Sequence, residues 1–519
     1  MAEIKTGQQV ALTYGPNLKS SAREINQHAK KNAAKGNDLI ITDPKAKNAV
    51  RIYRDSVIGQ ELRLQLRPMW KLLNISQDAS DEFAERFELL FTRWANSVSF
   101  DADVKRKQNF TSILRTLASS KFATGDAFAS IEWKKGQLGL FTCLNIIDPA
   151  RICNPNHKPN SPTLQNGIEF NAFGAVIAYY VRSGHPGDLL NRGAVSWKRV
   201  PKYSKHGRPL MLHSFEVERP EQNSGISRFS AVADNLKKNR AYNDAEVDRS
   251  MLAASYGAYI KSNIDYQKAM DVAGQGVTNI EDFVKLATKA SIEVVQQFYQ
   301  DTSSIGGAKF IHLLPGEDIE LIQGEQTVEA FEAFNSIFGR DNAAGLGIDP
   351  HSLNKNYSDV SYNAARASAD DSWRSYMPAR QEIISDFALP IVSCLMEEFV
   401  DSGLLKLPKG VSSFYESKQA LCSGSFMGAG KPNIDQVKTA KAHEIELKNG
   451  TISPSEICAT RGVDYRDVCD QRARDKKYAV EQGLKPEDFN PELLFNINQG
   501  NSERTENKTD KEEDEDDDD

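Results

Sequence analysis

A long segment near the middle of the chain lacks the residues that break helices. From Ser227 to Ile260 it contains no proline and a single glycine, Gly257. A helix that begins at a Ser227 cap would span about 50 Å at 1.5 Å per residue. Three basic residues interrupt its apolar positions: Lys237, Lys238 and Arg240. Part of this helix is therefore expected to face water or a polyanion instead of a core.

A small module and a second helix follow. Residues 265–326 predict the module, with short strands joined by a Pro315-Gly316 turn. Val328 to Ala344 predicts a helix with an apolar stripe, and the polar sequence DPHSLNKNYSDVSYN after it has no apolar period. Because two helices this polar lack a core of their own, we expect copies of the chain to pack side by side, most simply in a closed ring with cyclic symmetry.

The remaining segments predict an α+β protein. Helical spacing at Ser80–Ala95 and Phe110–Ala123 precedes short β-like runs between residues 126 and 215. The first 45 or so residues are polar with little apolar periodicity, and they predict an arm that orders only against a neighbour. Asp435 to Gln482 predicts a bundle of short helices, and the residues beyond Asn498 predict disorder.

Composition excludes several classes of protein. With 40% hydrophobic and 26% charged residues, the chain has the composition of an average soluble protein. Its apolar runs are far shorter than the roughly 20 residues that cross a bilayer. Six cysteines without a CxxC pair argue against a disulfide scaffold and a structural zinc site. The formal charge of −7 comes from Asp510–Asp519, which holds nine acids and one lysine, so the rest is close to neutral and decides nothing about nucleic-acid binding.

Motifs of known enzymes fail on their spacing. The sequence GSFMGAGK from Gly424 to Lys431 has Ser425 where a phosphate-binding loop needs glycine, and a proline follows its lysine. His443-Glu444 lacks the second histidine of a zinc protease, because Leu447 occupies that position. The sequence therefore predicts no catalytic, cofactor or metal site.

Six segments resemble the lambda-like family of tailed-bacteriophage portal proteins. They follow one another over about residues 50–480: DSVIGQELRLQLRP (55–68), GDAFASIEW (125–133), DPARICNPN (148–156), HSFEVERPEQNSGISRFS (213–230), LLPGEDIEL (313–321) and AAGLGIDPHSLNKNYSDVSYNAARASADDSWRSYM (343–377). The polar N-terminal arm and the acidic tail lie outside the resemblance.

The resemblance implies the phage portal fold, with wing, stem, clip and crown regions, assembled as a cyclic ring around a central channel. Mapped onto this sequence, it divides the chain into an arm (1–48), an α+β wing (49–226), a first stem helix (227–262), a clip (263–326), a second stem helix (327–346), a tunnel loop (347–363), a return helix and strands of the wing (364–430), a crown-like helical region (431–498) and a disordered acidic tail (499–519).

The resemblance also implies a function and partners. Twelve subunits at one capsid vertex would form the channel through which double-stranded DNA is packaged and ejected. The clip would dock the large terminase subunit and later the head-completion or head–tail adaptor proteins, and the wing would contact the major capsid protein. The family works in the virion, is assembled in the host cytoplasm, and needs neither a cofactor nor a membrane.

The chemistry of the tunnel loop can be argued from its residues. A sliding duplex must not be gripped, because each fixed contact between a lysine or arginine and a phosphate adds affinity. The loop offers a polar set in which one cation balances one anion: Asn354, Lys355, Asn356, Tyr357, Ser358 and Asp359. Such a set suits weak phosphate contacts without base readout. Tyr357 could equally pack at the base of the loop.

The basic residues of the first stem helix are the next candidates. Lys237, Lys238 and Arg240 would form a cationic belt in the channel. Alternatively, they pair between subunits with acids such as Asp234 or Glu246.

Two other functions stay open at this stage. A DNA-processing enzyme with an unrecognised active site would also be near neutral and multidomain, and a single Asp or Glu change would abolish its activity on DNA or nucleotides. A plain oligomeric scaffold without a lumen would not admit DNA to its centre.

Overall fold

The computed structural model describes residues 17–188, 195–255, 259–262, 304–305, 308–309, 317–320, 328–357, 360–431 and 435–482. The chain divides into two compact units, of which one comprises the residues up to Ala233 and from Asp341 onward, and the other runs from Asp234 to Arg340. The described residues contain both helices and strands, which confirms the α+β class. Within these ranges, no helix has the length and hydropathy of a membrane span.

The N-terminal segment is folded, contrary to the prediction of an arm that orders only against a neighbour. Helix α1 (Ser21–Thr42) and helix α2 (Pro44–Val57) occupy most of residues 17–57. Leu39 is 1% exposed, and the Ser21 hydroxyl donates to the Pro220 carbonyl oxygen at 2.7 Å. Both contacts lie within the chain, so these helices are part of the first unit.

Small residues explain why the arm was mispredicted. Only Ile25 and Leu39 mark the buried face of α1 as apolar. The rest of the contact depends on close backbone approach, since a Cβ at Gly36 would collide with the Ala123 carbonyl oxygen. Because glycine has no side chain, a close backbone contact at this position leaves no hydrophobic period in the sequence.

Helices and one short strand precede the main sheets. They are strand β1 (Arg63–Leu66) and helices α3 (Trp70–Leu73), α4 (Gln77–Ala95) and α5 (Phe110–Thr124). The helices predicted at 80–95 and 110–123 are thus confirmed. Trp94 of α4 is fully buried, and its indole N–H donates to the Thr142 carbonyl oxygen at 3.0 Å. This bond ties the helical layer to the following strands.

Two antiparallel sheets complete this half of the first unit. The strands are β2 (Asp126–Trp133), β3 (Thr142–Ile147), β4 (Leu164–Gln165), β5 (Ile168–Phe170), β6 (Val176–Arg182), β7 (Trp197–Pro201) and β8 (Met211–Phe215). One sheet has the order β3-β2-β8 and the other β4-β5-β6-β7. Phe128 of β2 and Tyr179 of β6 pack edge to face, with ring centroids 5.9 Å apart, so the two sheets share one core.

The long helix predicted from Ser227 to Ile260 is shorter in the structure. A 3₁₀ turn covers Arg228–Ser230, helix α6 runs from Ala233 to Ser255, and Tyr259–Ser262 forms strand β9. Ser227 caps the 3₁₀ turn, and Phe229 is fully buried in the first unit. The aromatic and β-branched residues at the far end favour the extended pairing they adopt.

The second unit contains α6 from its second residue onward and a few short strands. Strands β10 (Ser304–Ile305) and β11 (Ala308–Lys309) pair with each other, and β12 (Glu317–Glu320) pairs with β9. Residues 263–303 and the Pro315-Gly316 turn of the predicted module lie outside the described residues. Helix α7 (Val328–Leu346) closes the unit and continues into the first one. Tyr242 of α6 stacks on Phe331 of α7, with ring centroids 5.6 Å apart.

The C-terminal part of the first unit is mainly helical. Its elements are α8 (Pro350–Asn354), α9 (Tyr362–Ile383), a π-helical turn (Ile384–Ala388), α10 (Leu389–Asp401), α11 (Phe414–Leu421), strand β13 (Gly424–Met427), α12 (Gln436–Asn449), α13 (Pro454–Thr460) and α14 (Tyr465–Glu481). Pro378 lies inside α9 without ending it, and the π-helical turn ends two residues before Pro390. Ser453 and Glu456 form a capping box at α13, which confirms the predicted helix start.

Candidate nucleic-acid interface

The predicted tunnel loop begins with a short helix instead of irregular chain. Helix α8 takes up Pro350–Asn354, and the Asp349 carboxylate caps it by accepting from the Ser352 backbone N–H at 2.6 Å. Asp349 also accepts a hydrogen bond from the Ser368 hydroxyl of α9. The helix was missed because five residues are too few to show a hydrophobic period.

The electrostatics of Asp349 favour its charged form. Burial raises the pKa of this carboxyl, but the hydrogen bonds from Ser368 and Ser352 outweigh burial, and a smaller effect of His351 acts in the same direction. The pKa is therefore lowered from its ordinary value, and the cap is ionised at neutral pH.

The exposed part of the loop starts directly after α8. Lys355 has a left-handed backbone with φ 56°, and Lys355, Asn356 and Tyr357 are exposed. The Tyr357 hydroxyl lies 3.4 Å from the Ser352 hydroxyl, and His351 Nδ1 lies 3.3 Å from the Asn356 carbonyl oxygen. These contacts hold the three exposed residues close to the helix that carries them.

The other predicted loop residues have different environments. Asn354 belongs to α8, and its amide donates to the Pro350 carbonyl oxygen at 3.0 Å, so this side chain is directed at its own helix. Ser358 and Asp359 lie outside the described residues. The structure thus brings together Lys355, Asn356 and Tyr357 as one exposed polar group.

The predicted cationic belt lies on α6. Lys237, Lys238 and Arg240 are all exposed. Arg240 Nε lies 3.7 Å from an Asp244 carboxylate oxygen one turn further along the helix, and both side chains are about half exposed or more. Such a surface pair contributes little to stability, because water screens it. Glu246, one proposed partner from a neighbouring subunit, already pairs with Arg249 in its own chain.

A comparison with protein families identifies the family of this chain. The model of a family described as "Phage portal protein, lambda family" matches residues 10–380. The chain belongs to this family. The match includes the loop, both long helices of the second unit and most of the first unit.

Individual relatives agree with the family model. The chain is 30% identical to "Portal protein B" of Escherichia phage lambda over 456 residues, which covers 87% of this chain and 84% of the relative. It is 29% identical to the "Portal protein" of Escherichia phage N15 over 476 residues, covering 91% and 89%. Among solved structures, a chain from the neck of an empty GTA particle aligns over 88% of this chain and 99% of its own length, with 14% identity and a TM-score of 0.47.

As a portal protein of a tailed phage, the chain is a component of the virion. Clusters of three or more His, Cys, Asp or Glu side chains suited to a metal are absent from the part of the chain that the structure describes.

The sequence analysis missed a residue that supports the tunnel loop. The Asn48 amide of α2 donates to the carbonyl oxygens of Ser352 and Leu353, at 3.0 and 2.9 Å. Asn48 was assigned to the polar arm, some 300 residues away in sequence. A pairing over that distance has no local signal, so only the fold reveals it.

Proposed function

We propose that this portal protein assembles into a closed ring of twelve copies at one capsid vertex, and that the phage genome enters and leaves through its central channel. The proposal rests on the family match over residues 10–380. Residues 263–326 would dock the large terminase subunit during packaging and head-completion or adaptor proteins afterwards, and the wing (49–226 and 364–430) would contact the major capsid protein. Assembly would take place in the host cytoplasm.

The exposed apolar side chains of the second unit support lateral packing of copies. Val247 and Met251 of α6 are 56% and 63% exposed, and Phe334 and Ile337 of α7 are 49% and 51% exposed. Each pair is spaced three or four residues apart, so its members share one helix face. Large apolar side chains in such number on neighbouring helices are typical of an interface.

Helices α12 to α14 support the same proposal. Within residues 435–482, no described residue is buried, and seven large apolar side chains are exposed: Val437, Ile445, Leu447, Val463, Tyr465, Tyr478 and Val480. Helices of 7 to 17 residues without a buried face gain little stability by themselves. Neighbouring copies in a ring would supply the missing contacts.

Lys355, Asn356 and Tyr357 would then face the DNA. One cation and two neutral polar side chains per copy provide phosphate contacts that are weak enough for a duplex to slide. We further propose that the ring has no catalytic activity of its own, so that DNA and ATP incubated with it stay unchanged.

Negative-stain electron microscopy with native mass measurement tests the ring. Particles with a central hole and a mass of about 690 kDa are expected for twelve copies of the 57.7 kDa chain. Ile337→Glu should lower the ring fraction, whereas Lys205→Glu, a change at an exposed hairpin residue, should leave it unchanged. A monomer or dimer at all concentrations, with a folded circular-dichroism spectrum, would overturn the proposal.

A further inference from the structure

Helix α8 is too short to hold its own geometry. A helix of five residues lies within the costly nucleation regime, and its last carbonyl groups have no partner in the helix. Two of these carbonyls, those of Ser352 and Leu353, accept hydrogen bonds from the amide nitrogen of Asn48. The C-terminal end of α8 is thus capped by a side chain from another helix.

The orientation of the Asn48 amide is fixed on both sides. Its nitrogen donates to the two carbonyl oxygens, and its oxygen accepts from Arg51 Nη2 at 3.0 Å. A flipped amide would place its oxygen against two carbonyl oxygens, so the geometry selects one orientation. Asn48 therefore acts as a rigid double donor at this position.

Two further contacts anchor the same short helix. Asp349 at its N-terminal end accepts from Ser368 of α9, and Leu353 is 2% exposed. Lys355 follows directly and turns the chain through a left-handed residue. The position of the exposed residues 355–357 is therefore determined by α2 and α9, to which α8 is attached.

We propose that Asn48 is a positioning residue for the tunnel loop, which fixes where Lys355 and Tyr357 stand relative to helices α2 and α9. This inference rests on the proposed channel function. Contacts that allow a duplex to slide are too weak to order the loop themselves, so the order must come from the protein. Asn48 provides it without contacting DNA.

Asn48→Asp tests the role with little change of shape, because it replaces the double donor by an acceptor that repels the two carbonyls. Asn48→Ala removes the amide without adding charge. Asn26→Asp is the matched control, since Asn26 is a half-buried asparagine of α1 that bonds to Gln165 and Asn166. Lys355→Ala with Tyr357→Ala changes the loop itself.

The first measurement is hydrogen–deuterium exchange of peptides covering 350–357 in assembled rings. Both Asn48 variants should speed this exchange by about tenfold, and Asn26→Asp should not. The second is the amount of nuclease-protected genome in capsids built with each ring. The Asn48 variants and the loop variant should lower it by a similar factor.

The outcomes separate the inference from the function on which it rests. In one outcome, the loop variant lowers the amount of protected genome, but the Asn48 variants change neither the exchange rate nor the amount of genome. This result overturns the positioning role of Asn48 and leaves the channel function standing. In another outcome, exchange is faster in the Asn48 variants, but the amount of protected genome is normal in the Asn48 variants and in the loop variant. This result overturns the contact of the loop with DNA and the role of Asn48 in that contact.

Discussion

Lys121 Nζ lies 2.5 Å from a carboxylate oxygen of Glu382 and joins helix α5 to helix α9. The Lys121 side chain is 4% exposed and also donates to the Ser214 hydroxyl at 3.1 Å, whereas the Glu382 side chain is 39% exposed. Removal of the acid leaves a buried cation without its charge partner. Removal of the cation leaves a carboxylate that water can reach.

This asymmetry predicts unequal effects of two substitutions. Glu382→Gln should lower the free energy of unfolding by about 2 kcal/mol, which is less than for a fully buried pair because water reaches Glu382. Lys121→Met should cost less than about 1 kcal/mol, since an apolar chain of similar length suits the buried site. Urea denaturation of both variants measures the difference. A larger loss for Lys121→Met would contradict this explanation.

Gly125 predicts a second contrast. It ends helix α5 with φ 93°, and a Cβ there would lie 2.6 Å from the Gly225 carbonyl carbon. Gly125→Ala should therefore destabilise the protein by about 3 kcal/mol or more, through backbone strain and a collision. Gly139 has φ 80° with no atom within 4 Å of its Cβ position, so Gly139→Ala should cost only the strain, about 1 kcal/mol. Thermal unfolding of the two variants separates the collision from the strain, and equal midpoints would show that no collision occurs.

The basic residues of α6 were predicted either to form a cationic belt in the channel or to pair with acids of a neighbouring subunit. A salt-dependence experiment distinguishes the two hypotheses. If Lys237 and Lys238 face the channel, their double change to alanine should reduce the dependence of DNA affinity on salt, by about 0.9 in logarithmic slope for each lost phosphate contact. Lys205→Ala, at an exposed residue, should leave that slope unchanged. Fluorescence anisotropy of a short duplex with assembled rings, over a range of salt concentrations, measures it. If the lysines pair between subunits instead, the double variant should lower the ring fraction and keep the slope.

Much of the fold follows from local sequence signals. Helices α4 and α5 have regular apolar spacing, and the capping box at Ser453 and Glu456 marks the start of α13. Helix α1 escaped prediction because close contact at Gly36 replaces an apolar stripe. The boundary of α6 escaped it because Phe229, in a segment without proline or glycine, is buried in a 3₁₀ turn by the first unit.

Some features of the candidate site could likewise be predicted from local sequence, and others could not. The polar character of Lys355, Asn356 and Tyr357 is local and was predicted; the three residues are exposed, and their contact with DNA stays a prediction. Asn354 was grouped with them, yet its side chain bonds to its own helix. The contact between Asn48 and the end of α8 joins residues that lie far apart in sequence, so it could not be predicted from either segment alone.

Asp349 predicts how the loop responds to acid. Its pKa is lowered in the folded protein, so the cap contributes stability that is present above the unfolded value of about 3.9. That stability is lost as the pH falls through the lower pKa of the folded state. Acidification should therefore loosen α8 below about pH 4, while the uncharged variant Asp349→Asn is already loosened at pH 5.

Digestion with pepsin at several pH values measures this change, with cleavage within residues 349–357 followed by mass spectrometry. At pH 5 the unmodified protein should be cleaved about fivefold more slowly than Asp349→Asn, because the amide nitrogen replaces one of the two carboxylate oxygens that accept from Ser352 and Ser368, and losing one such hydrogen bond costs about 1 kcal/mol. The two rates should converge toward pH 2, where Asp349 is protonated and pepsin acts on both alike. Ser368→Ala removes one hydrogen bond that lowers the pKa of Asp349, so its convergence should occur at a higher pH. A rate ratio that is the same at pH 2 and pH 5 would show that the charge of Asp349 does not hold α8 in place.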